Sequence, residues 1–289
     1  MGGDAVRAAP ARRRGGALNA LDAVLAALRC PVCGAAFERA DRTLGCAAGH
    51  RFDLARQGYV NLAVGSRTGG DTPAMVAARE EFLGAGHYAP VVAALAGRAV
   101  PGLALDVGGG TGHHLAAVVE ATGGWGAVLE PSTAALRRAA RAHPRVAAVG
   151  GDVWRGLPFA DGSVDLVTNV FAPRGAAEVR RVLRPGGRWV VVTPLPEHLE
   201  EVRGPLGMVG VEAGKAERLH GELAAFDLVD EDELRFTRTL TRRDLAALVL
   251  MGPSAFHTDE AALRARLETV PDAVDVTVAV RLTVARSPA

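Results

Sequence analysis

Lysine is nearly absent from this 289-residue chain. Lys215 is the only one, so the other 32 basic side chains are arginines. Cysteine occurs three times, tyrosine twice, and aromatic residues make up only 4%. No stretch approaches the ~18 uninterrupted apolar residues that a membrane span needs. The apolar stretch Ala17 to Leu28 is shorter and is broken by Asn19 and Asp22. Arg12 to Arg14 before it look like the start of a signal peptide, but no small-residue cleavage site follows. Myristoylation would require Ser or Thr at the sixth position, which is Val6. These absences predict a cytoplasmic chain with no membrane partner. A content of 49% hydrophobic and 22% charged residues excludes wholesale disorder.

Strong charge of one sign is also lacking, since the net value is +1. That figure hides a gradient: residues 1–100 carry +4, residues 101–190 carry +3 and residues 191–289 carry −6. Arginine presents a fixed fork to phosphate and stacks on bases, which suits RNA. A GC-rich codon usage explains the same bias, so charge alone decides nothing.

What is present begins with the cysteines. Cys30, Cys33 and Cys46 with His50 read C-x2-C-x12-C-x3-H. Two ligands on a tight turn, a short hairpin and two more ligands is how a tetrahedral Cys3His zinc site is assembled. Pro31 and Gly34 serve the first turn, and Gly45 and Gly49 bracket the second pair. A disulfide would strand one thiol. Four protein ligands leave no open position, so this zinc is expected to be structural.

Residues 1–16 read as a flexible tail, and the run from Gly65 to Asp71 as a linker. A helix is expected over Pro73–Leu83 and another after Tyr88. From residue 101 strand and helix alternate: strand candidates are Leu103–Val107, Ala127–Glu130, Val146–Val149, Val164–Val170 and Arg188–Thr193, with Ser132 capping a helix to Ala142. Short valine-rich runs between helices predict a parallel sheet covered on both faces. Glu233–Thr241 and Asp275–Val284 instead alternate apolar and polar residues, as antiparallel strands do. The expected organisation is a tail and short helix over 1–28, a zinc module over 29–66, a helical linker over 67–100 and an α/β domain over 101–289.

The loop after the first strand fits D-x-G-x-G-x-G, with Asp106, Gly108, Gly110 and Gly112. A dinucleotide register starting at Gly108 would need its third glycine where His113 stands. An acid at the strand end suits the cationic methionine part of S-adenosylmethionine better than a diphosphate. Glu130 ends the next strand, where a carboxylate takes both ribose hydroxyls, and Asp152 follows the third, within reach of the adenine amine. Such sheets bind ligands in the crevice beyond the carboxyl ends of their strands. Asn169 and Phe171, ending the fourth strand, are candidates to orient a methyl acceptor, and Asn169 also counts among the expected cofactor contacts; a strand-terminating turn with a buried Phe is the equal alternative. Trp125, Trp154 and Trp189 read as packing residues, and His113 and His114 as neighbours of the cofactor mouth or nothing more.

These residues resemble a known family. Cys30–Cys33, Gly49–Asp53, Gln57–Leu62, Met75 with Arg79, Ala85–Tyr88, the glycine loop, Arg141–Pro144, Asn169–Arg174, Leu183–Gly187, Pro196–Leu199 and Met251–Pro253 match, in order, bacterial 23S rRNA (guanine-N1)-methyltransferases of the RlmA type. The likeness is greatest to their TlrB-like macrolide (tylosin) resistance branch, and it spans about residues 29 to 285. It implies a class I S-adenosylmethionine-dependent methyltransferase fold, Rossmann-like with a mostly parallel seven-stranded sheet, carrying an N-terminal zinc-binding module that recognises rRNA. It implies methyl transfer to N1 of one guanosine in a domain II hairpin loop of 23S rRNA, and with it antibiotic resistance. It also adds Tyr88, Gly110, Thr111 and His198 as cofactor contacts. The proton acceptor stays unassigned, with Asp53, Asp71 and His87 in the region that would line the pocket, and the oligomeric state stays open, a homodimer included. Two other readings remain: a natural-product methyltransferase, which leaves the zinc module idle, and a catalytically silent zinc-bearing RNA-binding protein.

Overall fold

A computed structural model describes residues 16–65, 70–210 and 214–288. The expected tail and the middle of the Gly65–Asp71 linker lie outside the described residues. The chain enters on α1 (Gly16–Val24) and then forms a three-stranded antiparallel knuckle, β1 (Phe37–Ala40), β2 (Thr43–Cys46) and β3 (Arg51–Asp53). A two-residue strand, β4 (Val60–Asn61), and two helices, α2 (Pro73–Gly84) and α3 (Ala89–Ala96), follow. Alternation then sets in with β5 (Leu103–Val107), α4 (His113–Thr122), β6 (Trp125–Glu130), α5 (Thr133–Ala139) and β7 (Val146–Gly150). It continues through β8 (Val164–Val170), α6 (Ala176–Val182) and β9 (Leu183–Pro194). The C-terminal part adds α7 (Glu200–Leu206), α8 (Lys215–Glu222) and β10 (Asp227–Thr241), then α9 (Arg242–Met251), α10 (Glu260–Glu268) and β11 (Ala273–Arg286).

One eight-stranded sheet runs β10-β11-β9-β8-β5-β6-β7-β4. Only β11 runs against the others, pairing antiparallel with both β9 and β10. The seven strands expected from the resemblance are all there, and the eighth, β4, comes from the end of the zinc module. It reaches β7 because residue 150 is glycine: a Cβ there would stand 2.4 Å from the Asn61 side chain. The central strands are apolar at nearly every position because both faces are covered.

One of those covers is α1. Ala20, Leu21 and Val24 are buried against Leu105, Ala127, Leu129, Ala147 and Val149 of the sheet. The apolar centre of the knuckle, Phe37, Leu44 and Leu54, is continuous with the same cluster. Backbone bonds from Arg29 to Pro158 (2.9 Å) and from Ala160 to Ala27 (2.8 Å) fix the seam. The sequence suggested modules joined in series; the packing instead makes α1 and β4 parts of the central sheet's own structure. No helix among the described residues is long and apolar enough to cross a membrane.

Candidate active site and metal centre

In the knuckle, Cys30, Cys33, Cys46 and His50 turn their ligand atoms inward, all within 4.8 Å of one another. Cys33 Sγ lies 3.7 Å from Cys46 Sγ, and His50 Nδ1 lies 3.6 Å from Cys30 Sγ and 3.4 Å from Cys46 Sγ. Two thiolates bound at 2.3 Å with a tetrahedral angle between them stand ~3.8 Å apart, so the set has the dimensions of a zinc shell. Tight turns aim the ligands: the Gly34 amide donates to the Cys30 carbonyl and the Gly49 amide to the Cys46 carbonyl. Both glycines sit at positive φ, +73° and +84°, where a side chain would be strained.

The second site is a cleft of about 550 Å³ beyond the carboxyl ends of β5 to β8. Asp106 is buried in its wall, 1% exposed. Its Oδ1 accepts from the Thr168 hydroxyl at 2.8 Å, while Oδ2 is buried without a partner. Burial chiefly, with the Glu130 charge adding, pushes its carboxyl up to about 7. Glycine at 109 makes room for that carboxylate, since a Cβ would lie 2.6 Å from Oδ2. Glu130 ties down the loop: Oε2 accepts from the Gly110 amide at 3.1 Å and Oε1 from the Ser132 amide at 2.8 Å. Burial raises the pKa of Glu130 too. Asp152 Oδ1 accepts from the Trp154 amide at 3.0 Å. Gly108, Thr111, Tyr88 and His198 also face the cleft.

An aromatic face closes the inner end. The Ala279 amide donates to His198 Nδ1 (3.2 Å), which places the imidazole proton on Nε2, directed at the Tyr88 oxygen 3.2 Å away. Burial raises the Tyr88 hydroxyl further, so it stays a neutral phenol. The Phe171 ring lies 5.9 Å from Tyr88 and 5.7 Å from His198. Phe171 holds a left-handed φ of +53°, a strained backbone for an aromatic residue, and is 40% exposed into the cleft. Of the two readings of Phe171, the buried Phe of a strand-terminating turn does not hold, since the ring is exposed.

The chain is similar to known proteins both in its parts and along most of its length. Residues 28–63 match the zinc ribbon described as RlmA, N-terminal, and residues 104–187 match a general methyltransferase domain. The 23S rRNA (guanine(748)-N(1))-methyltransferase of Streptomyces fradiae is 46% identical, over 90% of this chain and 96% of that one. A protein of Micromonospora griseorubida assigned the same guanine-N1 activity is 49% identical, over 88% of this chain and 95% of its own. The chain belongs to the 23S rRNA (guanine-N1)-methyltransferase family. Among solved structures, a chain from the complex of the Haloferax volcanii Trm112 activator with a methyltransferase superposes with a TM-score of 0.50 at 21% identity. It covers 77% of this chain and 100% of that one, and it supports the fold alone.

For a guanine-N1 methyltransferase the residues fit the implied cofactor. The lone buried Oδ2 of Asp106 needs a cationic donor, and the ammonium of S-adenosylmethionine is one. Glu130 and Asp152 follow in order along the sheet and line the same cleft, as carboxylates that would accept from ribose hydroxyls and an adenine amine do. Two expected contacts lie elsewhere. Asn169 is wholly buried behind the wall: its Nδ2 donates to the Val107 and Pro173 carbonyls and its Oδ1 accepts from Trp189 Nε1. It shapes the β8 turn and does not face the cofactor. Gly112 also stays out of the cleft, because α4 starts there hard against Ala139 and Ala142. Asp53 bonds Thr43 and His87 pairs with Asp244, whereas Asp71 does line the cleft.

Beyond its part in the family likeness nothing local sets Arg79 apart, yet it pairs with Asp71, reaches the Met251 carbonyl (2.7 Å) and crowds Gly110. His114 lines the same wall with Nε2 buried and unpartnered, and burial lowers its pKa to about 3. Trp189 is buried as expected, but Trp154 is not a packing residue: it stands at the cleft's edge in solvent. A groove of about 900 Å³ runs from the knuckle, at Cys30 to Val32, along the sheet edge and shares Gly151 and Asp152 with the cofactor cleft.

Proposed function

We propose that this enzyme transfers the methyl group of S-adenosylmethionine to N1 of a guanosine in the domain II hairpin loop of cytoplasmic 23S rRNA, at the position the Streptomyces fradiae relative modifies. The observation that carries this reading is the groove that starts at the zinc knuckle and abuts the cofactor cleft at the wall formed by Gly151 and Asp152. An RNA loop laid along that groove has its backbone beside the cleft, and a base swung out of its stack there meets the aromatic face of Phe171, Tyr88 and His198. A small-molecule substrate would leave both knuckle and groove without work.

Within the cleft, Asp106, Glu130 and Asp152 are the carboxylates for the amino-acid, ribose and adenine ends of the donor. S-adenosylmethionine held there would supply a methyl on a sulfonium, whose neutral thioether is the leaving group that balances a new bond to N1. Phe171 offers a surface for the guanine ring, and the His198–Tyr88 pair holds that surface in place. Tyr88 is neutral and its proton is available to donate, so it orients and does not deprotonate. The N1 proton departs to water as the lone pair engages, and alignment of donor and acceptor supplies most of the rate. An N1 methyl removes a Watson–Crick donor beside the peptide tunnel, which obstructs a bound macrolide such as tylosin.

Primer extension on 23S rRNA from cells with and without the protein tests the proposal. A reverse-transcriptase stop at the domain II guanosine, present only with the protein, is expected. Methyl incorporation into a small acceptor with no stop in 23S rRNA would overturn it.

A further inference from the structure

Only four aromatic rings are exposed among the described residues, and three of them, Trp154, Phe171 and Phe256, line the mouth of one cleft. In a chain this poor in aromatics, that concentration demands a cause. Phe171 has one in the proposed base pocket. Trp154 and Phe256 do not: they are 68% and 55% exposed and stand outside the inner aromatic face.

Both sit on short 3-10 turns. Trp154 is the centre of a 3-10 turn, Val153–Arg155, whose cap is the Asp152 carboxylate at the junction of cleft and groove. Phe256 lies on a second such turn, Pro253–His257, anchored by buried Ser254, whose hydroxyl accepts from the Val209 amide and whose carbonyl accepts from Thr258. Arg155, beside Trp154, is exposed, with one guanidinium nitrogen bound to the Gly65 carbonyl.

Extruding one base from a hairpin loop leaves its two neighbours without a stacking partner on that side. The geometry points to Trp154 and Phe256 as the platforms on which those flanking nucleotides stack, an inference that rests on the RNA reading above. Every base has a π-face, so such rings hold a single strand without reading its sequence. The occupant is RNA and not a second copy of the chain, because a protein surface seated on both rings would cover the entrance the target base must use.

The test uses the full-length zinc-loaded protein and an RNA hairpin carrying the target guanosine, with 2-aminopurine placed on either side of it in turn. Wild-type protein is expected to quench at least one flanking 2-aminopurine. Trp154→Ala is expected to restore its fluorescence and weaken RNA binding about tenfold, with S-adenosylmethionine affinity by calorimetry within twofold of wild type and Trp154→Phe recovering most of the loss. Phe256→Ala is expected to act likewise on the other neighbour. Unchanged RNA affinity and quenching in both alanine variants would overturn the inference. So would an equal fall in cofactor affinity, which makes Trp154 part of the adenine wall, or a dimer that dissociates on Trp154→Ala with RNA affinity intact. A wild-type protein that binds the hairpin no better than an unrelated RNA would instead sink the rRNA reading itself.

Discussion

A buried carboxylate without a partner is a liability until a cation arrives, and Asp106 is in that position. Its carboxyl is raised to about 7, so in the free protein it is largely neutral below that pH and ionised above it. For an acid whose folded pKa lies above its unfolded value, the stabilising contribution is full below the unfolded value near 3.8 and disappears as pH rises through about 7. Cofactor binding runs the other way, because the ammonium is met by the ionised form. S-adenosylmethionine affinity is therefore expected to fall about tenfold per unit as pH drops from 6.5 to 5.5. In Asp106→Asn the affinity should be at least tenfold weaker at pH 8 and nearly flat with pH. Calorimetry across pH checks both, and an unchanged slope in the variant would remove Asp106 from the site. Asn169 shows what a sequence cannot say about such a position. Its placement at the end of β8 was legible, but the direction of its amide depended on Trp189, Val107 and Pro173 arriving from distant segments. Asn169→Ala should leave buried polar groups unpaired and cost about 2–4 kcal/mol in denaturant unfolding. A loss of cofactor affinity with no loss of stability would return it to the ligand shell.

Elements were legible where both faces are covered. The valine runs of β7 and β8 carry their own explanation, and Ser132 caps α5 as anticipated, accepting from the Ala135 amide. The alternating β10 and β11 pair antiparallel along their length. Two elements were not legible as sheet components. β4 has two residues, too few for any periodicity, and exists because glycine 150 lets it approach. The segment of α1 reads as helix, but nothing local tells which surface it covers. Leu21, wholly buried on that helix, makes the difference measurable. Leu21→Ala should cost about 3–5 kcal/mol in equilibrium unfolding, as a well-packed core position does. A cost below ~1 kcal/mol would mean that α1 contributes little to the stability of the sheet it covers.

Across the whole molecule the acidic and basic ends of the sequence become opposite ends of the sheet. Acid of the last third gathers on the exposed outer strand β10, with Asp230, Glu231, Asp232 and Glu233, partly paired to Arg98, Arg235 and Arg281. Charge on an edge strand discourages sheet-to-sheet association, and here it also repels phosphate. The other edge, β4, carries the knuckle, where Arg51 and Arg56 are exposed. On the rRNA reading proposed above, this charge asymmetry is expected to steer RNA to the edge that bears the groove. Because the knuckle forms one wall of that groove while the cofactor cleft is built from β5 to β8, the two functions should separate. Cys30→Ser is expected to lose the bound zinc and weaken hairpin binding at least tenfold, with S-adenosylmethionine affinity kept within about threefold. Metal analysis, RNA titration and calorimetry on one preparation decide it. Full zinc content would remove Cys30 from the shell, and unweakened RNA binding without zinc would detach the knuckle from recognition. Collapse of cofactor binding together with zinc would instead show that the seam through Arg29, Pro158, Ala27 and Ala160 makes knuckle and sheet one cooperative unit.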